Sequence, residues 1–212
     1  MKVGILGGAF NPPHLGHLIL AQEAVSQLSL ERLVWMPYGE PSHRVLEDDP
    51  GPEARFTMCE YAVGADARFA VSRMEIDRGG PVYTVDTLRE IADRSPDHDL
   101  FLVLGGDQAA SLSSWRSPEE VLSLASLAVV ERDEWRREEI LSRVAPLCSS
   151  PDRVCFLDMP RIEISSSLVR ARARAGQPIR YLVPDKVANY VGAQSLYGAS
   201  VPATSPGAGV SS

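Results

Sequence analysis

Short apolar runs alternate with amphipathic segments along most of the chain. The runs have the length of buried strands, and the amphipathic segments repeat their apolar side chains with the period of a helix. Strands are predicted at Lys2–Leu6, Arg32–Met36, Phe69–Ser72, Asp99–Leu104, Leu127–Glu131 and Arg153–Leu157. Helices are predicted at His14–Leu28, Pro52–Gly64, Val85–Arg94, Pro118–Leu124, Glu134–Ala145, Ser166–Ala175 and Asp185–Val191.

This alternation predicts an α/β fold with a doubly wound, Rossmann-like parallel sheet. Strands that are apolar along their whole length are typical of parallel sheets with helices on both faces. In such sheets ligands bind beyond the carboxyl ends of the strands, at the point where the strand order reverses. The segments that follow strands are therefore the first places to look for a functional site.

Two segments depart from the alternating pattern. Residues 38–52 are rich in proline and glycine and contain the acidic cluster Glu47-Asp48-Asp49, which predicts a mobile loop. Residues 199–212 consist mostly of small residues and proline, and such a composition buries too little apolar surface to fold. We therefore expect one domain over residues 1–198 and a disordered tail over residues 199–212.

The segment Gly7–His17, between the first predicted strand and helix, has the features of a phosphate-binding site. Its two leading glycines allow a ligand to approach the backbone closely. The helix N-terminus behind it offers free N–H groups and a positive dipole end. His14 and His17 are three residues apart and lie on the same side of the helix, where imidazoles can donate hydrogen bonds to phosphate oxygens. Gly16 between them leaves room for a nucleotide.

The two histidines alone leave other interpretations open. The same spacing fits a tight turn with two surface histidines, or part of a zinc site. A third zinc ligand is not obvious nearby, and the spacing differs from that of metalloproteases. The chain contains neither the P-loop motif nor the G-x-G-x-x-G dinucleotide motif.

The ten residues from Gly8 to His17 resemble the G-[TS]-F-[DN]-P-x-H-x-G-H signature of the nucleotidyltransferase superfamily. The resemblance implies that His14 and His17 hold the phosphates of a nucleoside triphosphate. Ala9 replaces the usual hydroxyl residue, so a hydroxyl contact to phosphate is lost while the backbone N–H remains. The resemblance also assigns Gly8, Ala9 and Phe10 to the ATP site and Asn11 to the mononucleotide site.

A second phosphate signal lies near the C-terminus. Residues 161–180 hold five arginines and one glutamate, so their net charge is +4. The serine run before the predicted helix is a plausible N-cap. The segment could be an ordinary solvated helix, but it resembles the I-S-S-[TS]-x-[IV]-R motif of the same superfamily, which closes over the triphosphate. This resemblance assigns Ile164, Ser165, Ser166 and Arg170 to the ATP site and leaves Arg172 and Arg174 at the surface.

The segment Gly80–Leu88 resembles the G-P-S-Y-T-x-D-T-L segment of bacterial nicotinate-nucleotide adenylyltransferases. Thr84 is predicted to cap the helix that starts at Val85, whose N-terminus can receive a carboxylate. Nicotinate carries a carboxylate where nicotinamide carries an uncharged amide. The resemblance therefore places Tyr83 and Thr84 at the acceptor mononucleotide.

Three more segments resemble that family. Gly105-Gly106-Asp107 followed by Trp115 resembles its G-x-D…W arrangement, which implies that Gly105 and Asp107 bind ATP and that Trp115 stacks on a pyridine ring. Residues 41–44 resemble its P-P-H-K segment. Arg44 there, and Arg132 in a later turn, are expected to serve the acceptor phosphate.

The amino-acid composition argues against several classes of protein and cellular location. The chain has 21 basic and 28 acidic residues, and its net charge of -7 argues against a protein that coats nucleic acid. Its three cysteines form no C-x-x-C motif, which favours a reducing compartment. We see neither an apolar run long enough for a membrane span nor a signal-peptide core, so a cytoplasmic enzyme without a membrane partner is expected.

The resemblance implies adenylyl transfer from ATP to nicotinate mononucleotide, with His14, His17 and Arg170 as the catalytic groups. Magnesium would be brought with ATP, and no metal site of the protein itself is expected. Three alternatives remain: a phosphopantetheine adenylyltransferase, a fragment of a class I aminoacyl-tRNA synthetase, and a nucleotide-sensing module without catalysis. A homo-oligomer is compatible with the sequence, which leaves the oligomeric state open.

Overall fold

The structure is a computed structural model that describes residues 1–41, 46–130, 137–148 and 150–199. Its strands are β1 (Lys2–Gly8), β2 (Arg32–Pro37), β3 (Glu40–Pro41), β4 (Phe69–Val71), β5 (Pro81–Val82), β6 (Asp99–Gly105), β7 (Ala125–Val130) and β8 (Val154–Leu157). Six of them form one parallel sheet in the order β4-β2-β1-β6-β7-β8, and β3 pairs with β5 separately.

The helices are α1 (Leu15–Leu28), α2 (Pro52–Val63), α3 (Met74–Arg78), α4 (Thr84–Arg94), α5 (Gly106–Ala110), α6 (Pro118–Leu124), α7 (Arg137–Val144), α8 (Ser166–Arg174) and α9 (Asp185–Ala193). Short 3₁₀ turns lie at Leu112–Ser114, Ala145–Leu147, Pro151–Arg153 and Leu196–Gly198. Within the described residues, no helix is long and apolar enough to cross a membrane.

Both faces of the sheet are buried. Successive side chains of β6 enter two different cores, with Leu102 packed among α4, α6 and α7 and Val103 packed among residues of α1 and α2. A third core joins α2, α8 and α9 around Met58, Val169 and Val187. The alternation in β6 is that of a strand covered on both sides, so the predicted doubly wound α/β fold is confirmed.

The strand order reverses at β1. This strand pairs with β2 on one side and with β6 on the other, and the chain moves outward in opposite directions from these two pairs. A crevice therefore opens beyond the carboxyl ends of β1 and β6, which end at Gly8 and Gly105.

Several short helices and strands were not predicted from the sequence pattern. The helices α3 and α5 have five residues each, and β3 and β5 have two, so none of them spans a full hydrophobic period. The predicted loop over residues 38–52 is partly structured, because it contains β3 and its residues 46–51 are bonded to neighbouring elements. Residues 42–45, 131–136 and 200–212, with most of the predicted tail, lie outside the described residues.

Candidate active site

A large cavity of about 1510 Å³ opens at the reversal of strand order. Its lining comes from the ends of β1 and β6, the start of α1, residues 46–47 and the segment from Leu157 to Arg170. The residues predicted for ATP binding all contribute to it: Gly8, Ala9, Phe10, His14, His17, Gly105, Asp107, Ile164, Ser165, Ser166 and Arg170. Asn11, predicted for the mononucleotide, lines it as well.

His14 and His17 form a stacked pair at the start of α1. His14 is the N-cap, and its ring lies 3.8 Å from that of His17 between centroids. The backbone N–H of His14 donates to Nδ1 of His17 at 3.1 Å. Because Nδ1 of His17 accepts this bond, the proton of the neutral ring sits on Nε2. The backbone thus selects the tautomer that carries its ring proton on Nε2.

The ring of Phe10 packs against the histidine pair. It has a φ of 49°, which is uncommon for a residue with a side chain, and its ring is only 2% exposed. The ring lies 5.1 Å from that of His17 and 4.9 Å from that of Trp35. Tight packing of the aromatic ring therefore accompanies an unusual backbone turn at the bottom of the cavity.

Gly16 is required for the histidine geometry. A Cβ at this position would lie 3.0 Å from the ring of His14, closer than nearly all such contacts. The absence of a side chain at Gly16 therefore leaves space for the imidazole of His14, in addition to the space that the sequence predicted for a nucleotide.

The guanidinium-bearing segment meets this loop directly. Ser165 caps α8 by accepting a hydrogen bond from the N–H of Leu168 at 3.1 Å. The hydroxyl of Ser166 donates to the carbonyl oxygen of Pro12 at 2.8 Å. Arg170, 9% exposed, donates from Nη1 to the carbonyl oxygen of Asn11 at 3.0 Å. Two motifs separated by about 150 residues thus line one cavity, joined by two hydrogen bonds.

Asn11 organises the site from inside. Its side chain is 3% exposed, its Oδ1 accepts from the hydroxyl of Tyr197 at 2.7 Å, and its Nδ2 donates to the carbonyl of Glu47 at 2.9 Å. Burial raises the pKa of the Tyr197 phenol far above its usual value, so Tyr197 stays a hydrogen-bond donor. With these bonds in place, a mononucleotide could still contact the second Nδ2 proton or the second Oδ1 lone pair of Asn11.

The positive charge of Arg170 is balanced by two carboxylates. Glu47 and Asp48 each lie 3.6 Å from its guanidinium, and Asp48 also pairs with Arg174. Arg172 donates instead to the carbonyl of Pro178, on the exposed side of α8. A phosphate that binds Arg170 therefore competes with an acidic pair that already contacts it.

The carboxyl end of β6 runs straight into a helix. Gly105 is the last residue of β6, and α5 begins at the next residue, so the predicted loop is a helix N-terminus. The N–H of Gly105 donates to the side-chain oxygen of Gln108 at 3.4 Å. Asp107, in the first turn of α5, is exposed and lines the large cavity.

A small pocket adjoins the large cavity, and both are lined by Gly7, Tyr38 and Gln108. Trp115 and Thr84, predicted for the acceptor, line this small pocket. The predicted cap at Thr84 is wrong, since Thr84 is the first residue of α4 and Tyr83 is the N-cap, without a side-chain bond. Tyr83 lies outside the described pocket lining and packs its ring under Arg116 at 4.7 Å.

Glu75 is a polar group of the small pocket that the sequence did not reveal. It is 4% exposed, and its Oε1 accepts from the hydroxyl of Thr87 at 2.8 Å. In the described part of the protein its Oε2 has no hydrogen-bond partner. Burial raises the pKa of this carboxyl to about 7, against the lowering effects of Thr87 and Arg78. The pairing of Thr87 with a buried acid is invisible to a local motif.

Two predicted site residues cannot be placed, since Arg44 and Arg132 lie outside the described residues. Among the residues described, no group of three or more histidine, cysteine, aspartate or glutamate side chains could hold a metal ion.

The fold and the two phosphate motifs define a nucleotidyltransferase. The cytidylyltransferase-like family model matches residues 5–172, which contain the carboxyl end of β1, both histidines and the serine–arginine segment. The chain is therefore a member of that family, and the predicted nucleotidyltransferase fold is confirmed.

The sequence relatives of the chain identify a narrower family among the nucleotidyltransferases. It is 41% identical to a nicotinate-nucleotide adenylyltransferase of Corynebacterium kroppenstedtii over 92% of this chain and 90% of that protein. It is 40% identical to the protein of that name from Acidothermus cellulolyticus, over 92% of this chain and 94% of the relative. The chain belongs to the nicotinate-nucleotide adenylyltransferase family, and the resemblance and enzyme class predicted from its motifs are confirmed.

Solved structures agree on the fold. The nicotinic acid mononucleotide adenylyltransferase of Plasmodium falciparum, in complex with NaAD, superposes with a TM-score of 0.77. The match covers 94% of this chain and 98% of that chain at 17% identity. At that identity the likeness carries the fold, while the family rests on the sequence relatives.

Proposed function

We propose that this enzyme transfers the adenylyl group of ATP to nicotinate mononucleotide, giving nicotinate adenine dinucleotide and pyrophosphate, in a late step of NAD synthesis. The observation that carries the proposal is the meeting of the two phosphate motifs at one cavity, through the bonds from Ser166 to Pro12 and from Arg170 to Asn11. Family membership supports the choice of acceptor.

The chemistry is an in-line displacement at phosphorus. A phosphate oxygen of the mononucleotide attacks the α-phosphorus of ATP, the new P–O bond forms, and the bond to the bridging oxygen of the β-phosphate breaks. Pyrophosphate leaves with that electron pair. The attacking phosphate is already an anion near neutral pH, so no strong general base is needed, and the protein contributes positioning and charge stabilisation.

We assign the phosphates of ATP to His14, His17, Ser166 and Arg170. Nε2 of His17 carries the ring proton in the tautomer that the His14 N–H selects. The N-terminus of α8 adds a positive dipole end beside Arg170. Charge that develops on the leaving pyrophosphate is thus met by these donors once Arg170 exchanges its carboxylate partners for phosphate oxygens.

Magnesium enters with ATP as part of the substrate, because Mg²⁺ prefers phosphate oxygens and water to an all-protein cage. We assign the remaining ATP contacts to Gly8, Ala9, Phe10, Gly105, Asp107, Ile164 and Ser165. The exposed carboxylate of Asp107, in the first turn of α5, is suited to accept hydrogen bonds from ribose hydroxyls.

The acceptor ring is assigned to the region of the small pocket, whose volume of about 20 Å³ must widen before Trp115 can stack on a pyridine ring. Thr84, at the N-terminus of α4, places a positive dipole end near a ring carboxylate. Tyr83 and Asn11 are proposed to shape this region, and Arg44 and Arg132 to bind the acceptor phosphate. A cytoplasmic setting, without nucleic acid as a partner, suits these small anionic substrates.

Pyrophosphate release from MgATP with a panel of acceptors tests the function. We expect rapid turnover with nicotinate mononucleotide, slower turnover with nicotinamide mononucleotide and none with phosphopantetheine. Preference for phosphopantetheine would favour the rival adenylyltransferase, and ATP binding without turnover on any acceptor would favour a nucleotide-sensing module. Equal efficiency on both mononucleotides would contradict the role given to the ring carboxylate.

A further inference from the structure

Arg55, on α2, is the most completely buried cationic residue that the structure describes, and it has no part in the site described so far. Its side chain is 0% exposed, although arginine is rarely buried completely. Its nearest charged partner is Asp49, whose Oδ1 accepts from Nε at 2.9 Å. A buried guanidinium costs free energy unless its donors are well matched, so its acceptors indicate what it does.

The other acceptors of Arg55 are backbone carbonyls at the edge of the site. Nη1 donates to the carbonyl oxygens of Ala9 at 3.3 Å and Tyr38 at 2.7 Å, and Nη2 donates to that of Gly39 at 2.9 Å. Ala9 follows β1, and Tyr38 and Gly39 follow β2. One side chain therefore joins the segments after two neighbouring strands to the acidic segment that contains Asp49.

The bond to Ala9 fixes the direction of a peptide group. The Ala9–Phe10 peptide is trans, so its C=O and its N–H point in opposite directions. The carbonyl points at Arg55, which lies behind the segment, whereas Ala9 and Phe10 line the large cavity. The N–H of Phe10 therefore points away from Arg55, and the proposal below places it on the cavity side, where it can donate to a phosphate.

The identity of residue 9 makes this N–H more important. The alanine side chain offers no hydroxyl to a phosphate, so donors at this point must come from the backbone. Phe10 also holds a φ of 49°, a conformation that surrounding contacts must maintain. Arg55 supplies such a contact, on the side opposite to the cavity.

We propose that Arg55 is a positioning residue for adenylyl transfer, which holds the Ala9–Phe10 peptide so that its N–H binds a phosphate of ATP. This inference rests on the proposed function for the identity of the reaction, but its effect on nucleotide binding can be measured without an acceptor. Arg55 acts through the peptide group and does not touch the substrate.

Arg55→Lys is the test, because lysine keeps the charge but lacks the planar fork that reaches several acceptors. We expect the Kd for a non-hydrolysable ATP analogue, measured by calorimetry, and the KM for ATP to rise about tenfold, which corresponds to one well-oriented hydrogen bond. A purely structural arginine would lower the melting temperature and leave both constants unchanged.

Arg153→Lys is the matched control. Arg153 likewise donates to backbone carbonyls, those of Leu122 and Ser123, but near the amino end of β7, away from the cavity. This variant should lose thermal stability without a change in ATP affinity. If Arg55→Lys and Arg153→Lys bound the analogue equally well, the positioning role would be refuted.

Asp49→Asn covers the case in which Arg55→Lys does not fold. It weakens the ion pair that orients the guanidinium but leaves the arginine in place, so we expect a rise of a few-fold in the Kd for the analogue. An unchanged Kd would count against the proposal. If the wild type bound the analogue but did not turn over nicotinate mononucleotide, the proposed function would fail, while the comparison of analogue affinities would still decide the role of Arg55.

Discussion

The large cavity and the small pocket differ in the polar groups that line them. In the large cavity, hydrogen bonds to the opposing backbone position Ser166 and Arg170, and the backbone N–H of His14 positions the ring of His17. The small pocket is mostly apolar, and its buried acid, Glu75, titrates near neutrality. One region therefore presents hydrogen-bond donors suited to phosphate groups, whereas the other selects by shape around a single buried acid.

The difference also appears in how the two regions are built. The large cavity is formed by two motifs that are far apart in sequence. Their hydrogen bonds are accepted by backbone carbonyls, which remain when a side chain is substituted. The small pocket depends on individual side chains, Trp115 and the Glu75–Thr87 pair. We therefore expect substitutions in the large cavity to affect turnover and ATP affinity, and those at the small pocket to affect the acceptor and pH dependence.

The largest effect is expected for His17→Ala. Loss of a preorganised donor to the reacting phosphates should lower kcat by about 10²–10³-fold. The melting temperature should change little, because the backbone of α1 is retained. His98→Ala, at the opposite end of the sheet just before β6, is the control and should be silent. Wild-type turnover in purified His17→Ala would remove this histidine from the mechanism.

Arg170→Ala should come next. Removal of a nearly buried guanidinium that is proposed to bind the phosphates should raise the KM for ATP about 10²-fold, and the KM for the mononucleotide much less. Steady-state kinetics with each substrate varied in turn measures both. Arg172→Ala on the exposed side of the same helix should resemble the wild type. An equal rise in both KM values would mean that the two regions are not separate.

Glu75→Gln tests the acid of the small pocket through stability. The pKa of about 7 in the folded protein lies above the unfolded value of 4.5, so the folded state binds more protons between them. The free energy of unfolding should therefore fall by about 2 kcal/mol from pH 5 to pH 7 in the wild type, and this fall should be absent in Glu75→Gln. Urea denaturation across that range measures it, with Glu60→Gln on the surface of α2 as control. The same pH dependence in Glu75→Gln would place the titrating group elsewhere.

The smallest effect is expected for Trp115→Ala. Loss of ring stacking should raise the KM for the mononucleotide about tenfold and leave the KM for ATP unchanged. Trp115→Phe keeps an aromatic face and should recover most of the affinity. A change confined to ATP would assign Trp115 to the large cavity instead.

Local sequence could name the residues of the candidate phosphate site because they are contiguous within two motifs. Each of the two motifs indicates a helix N-terminus beside a cationic or imidazole side chain: the glycines and histidines do so before α1, and the serine–arginine segment does so at α8. The strands were equally visible, since their apolar runs need no distant partner. Even there, the meeting of Ser166 with Pro12 depends on tertiary packing that no window of sequence contains.

Glu75 and Arg55 were missed for the same physical reason. Charged residues in amphipathic segments are normally solvated, and only the three-dimensional packing buries these two. Their partners, Thr87 and the carbonyls after β1 and β2, lie between about 10 and 50 residues away in sequence. The helix cap predicted at Thr84 failed because the helix starts one residue earlier, which turns the expected cap into the first helical residue.

A crystal structure of the enzyme with a non-hydrolysable ATP analogue would test the central claim most directly. The account predicts that the triphosphate lies between the two motifs, within hydrogen-bond distance of Nε2 of His17 on one side and of the Arg170 guanidinium on the other. A triphosphate bound elsewhere, or held by one motif while the other remains out of reach, would contradict it.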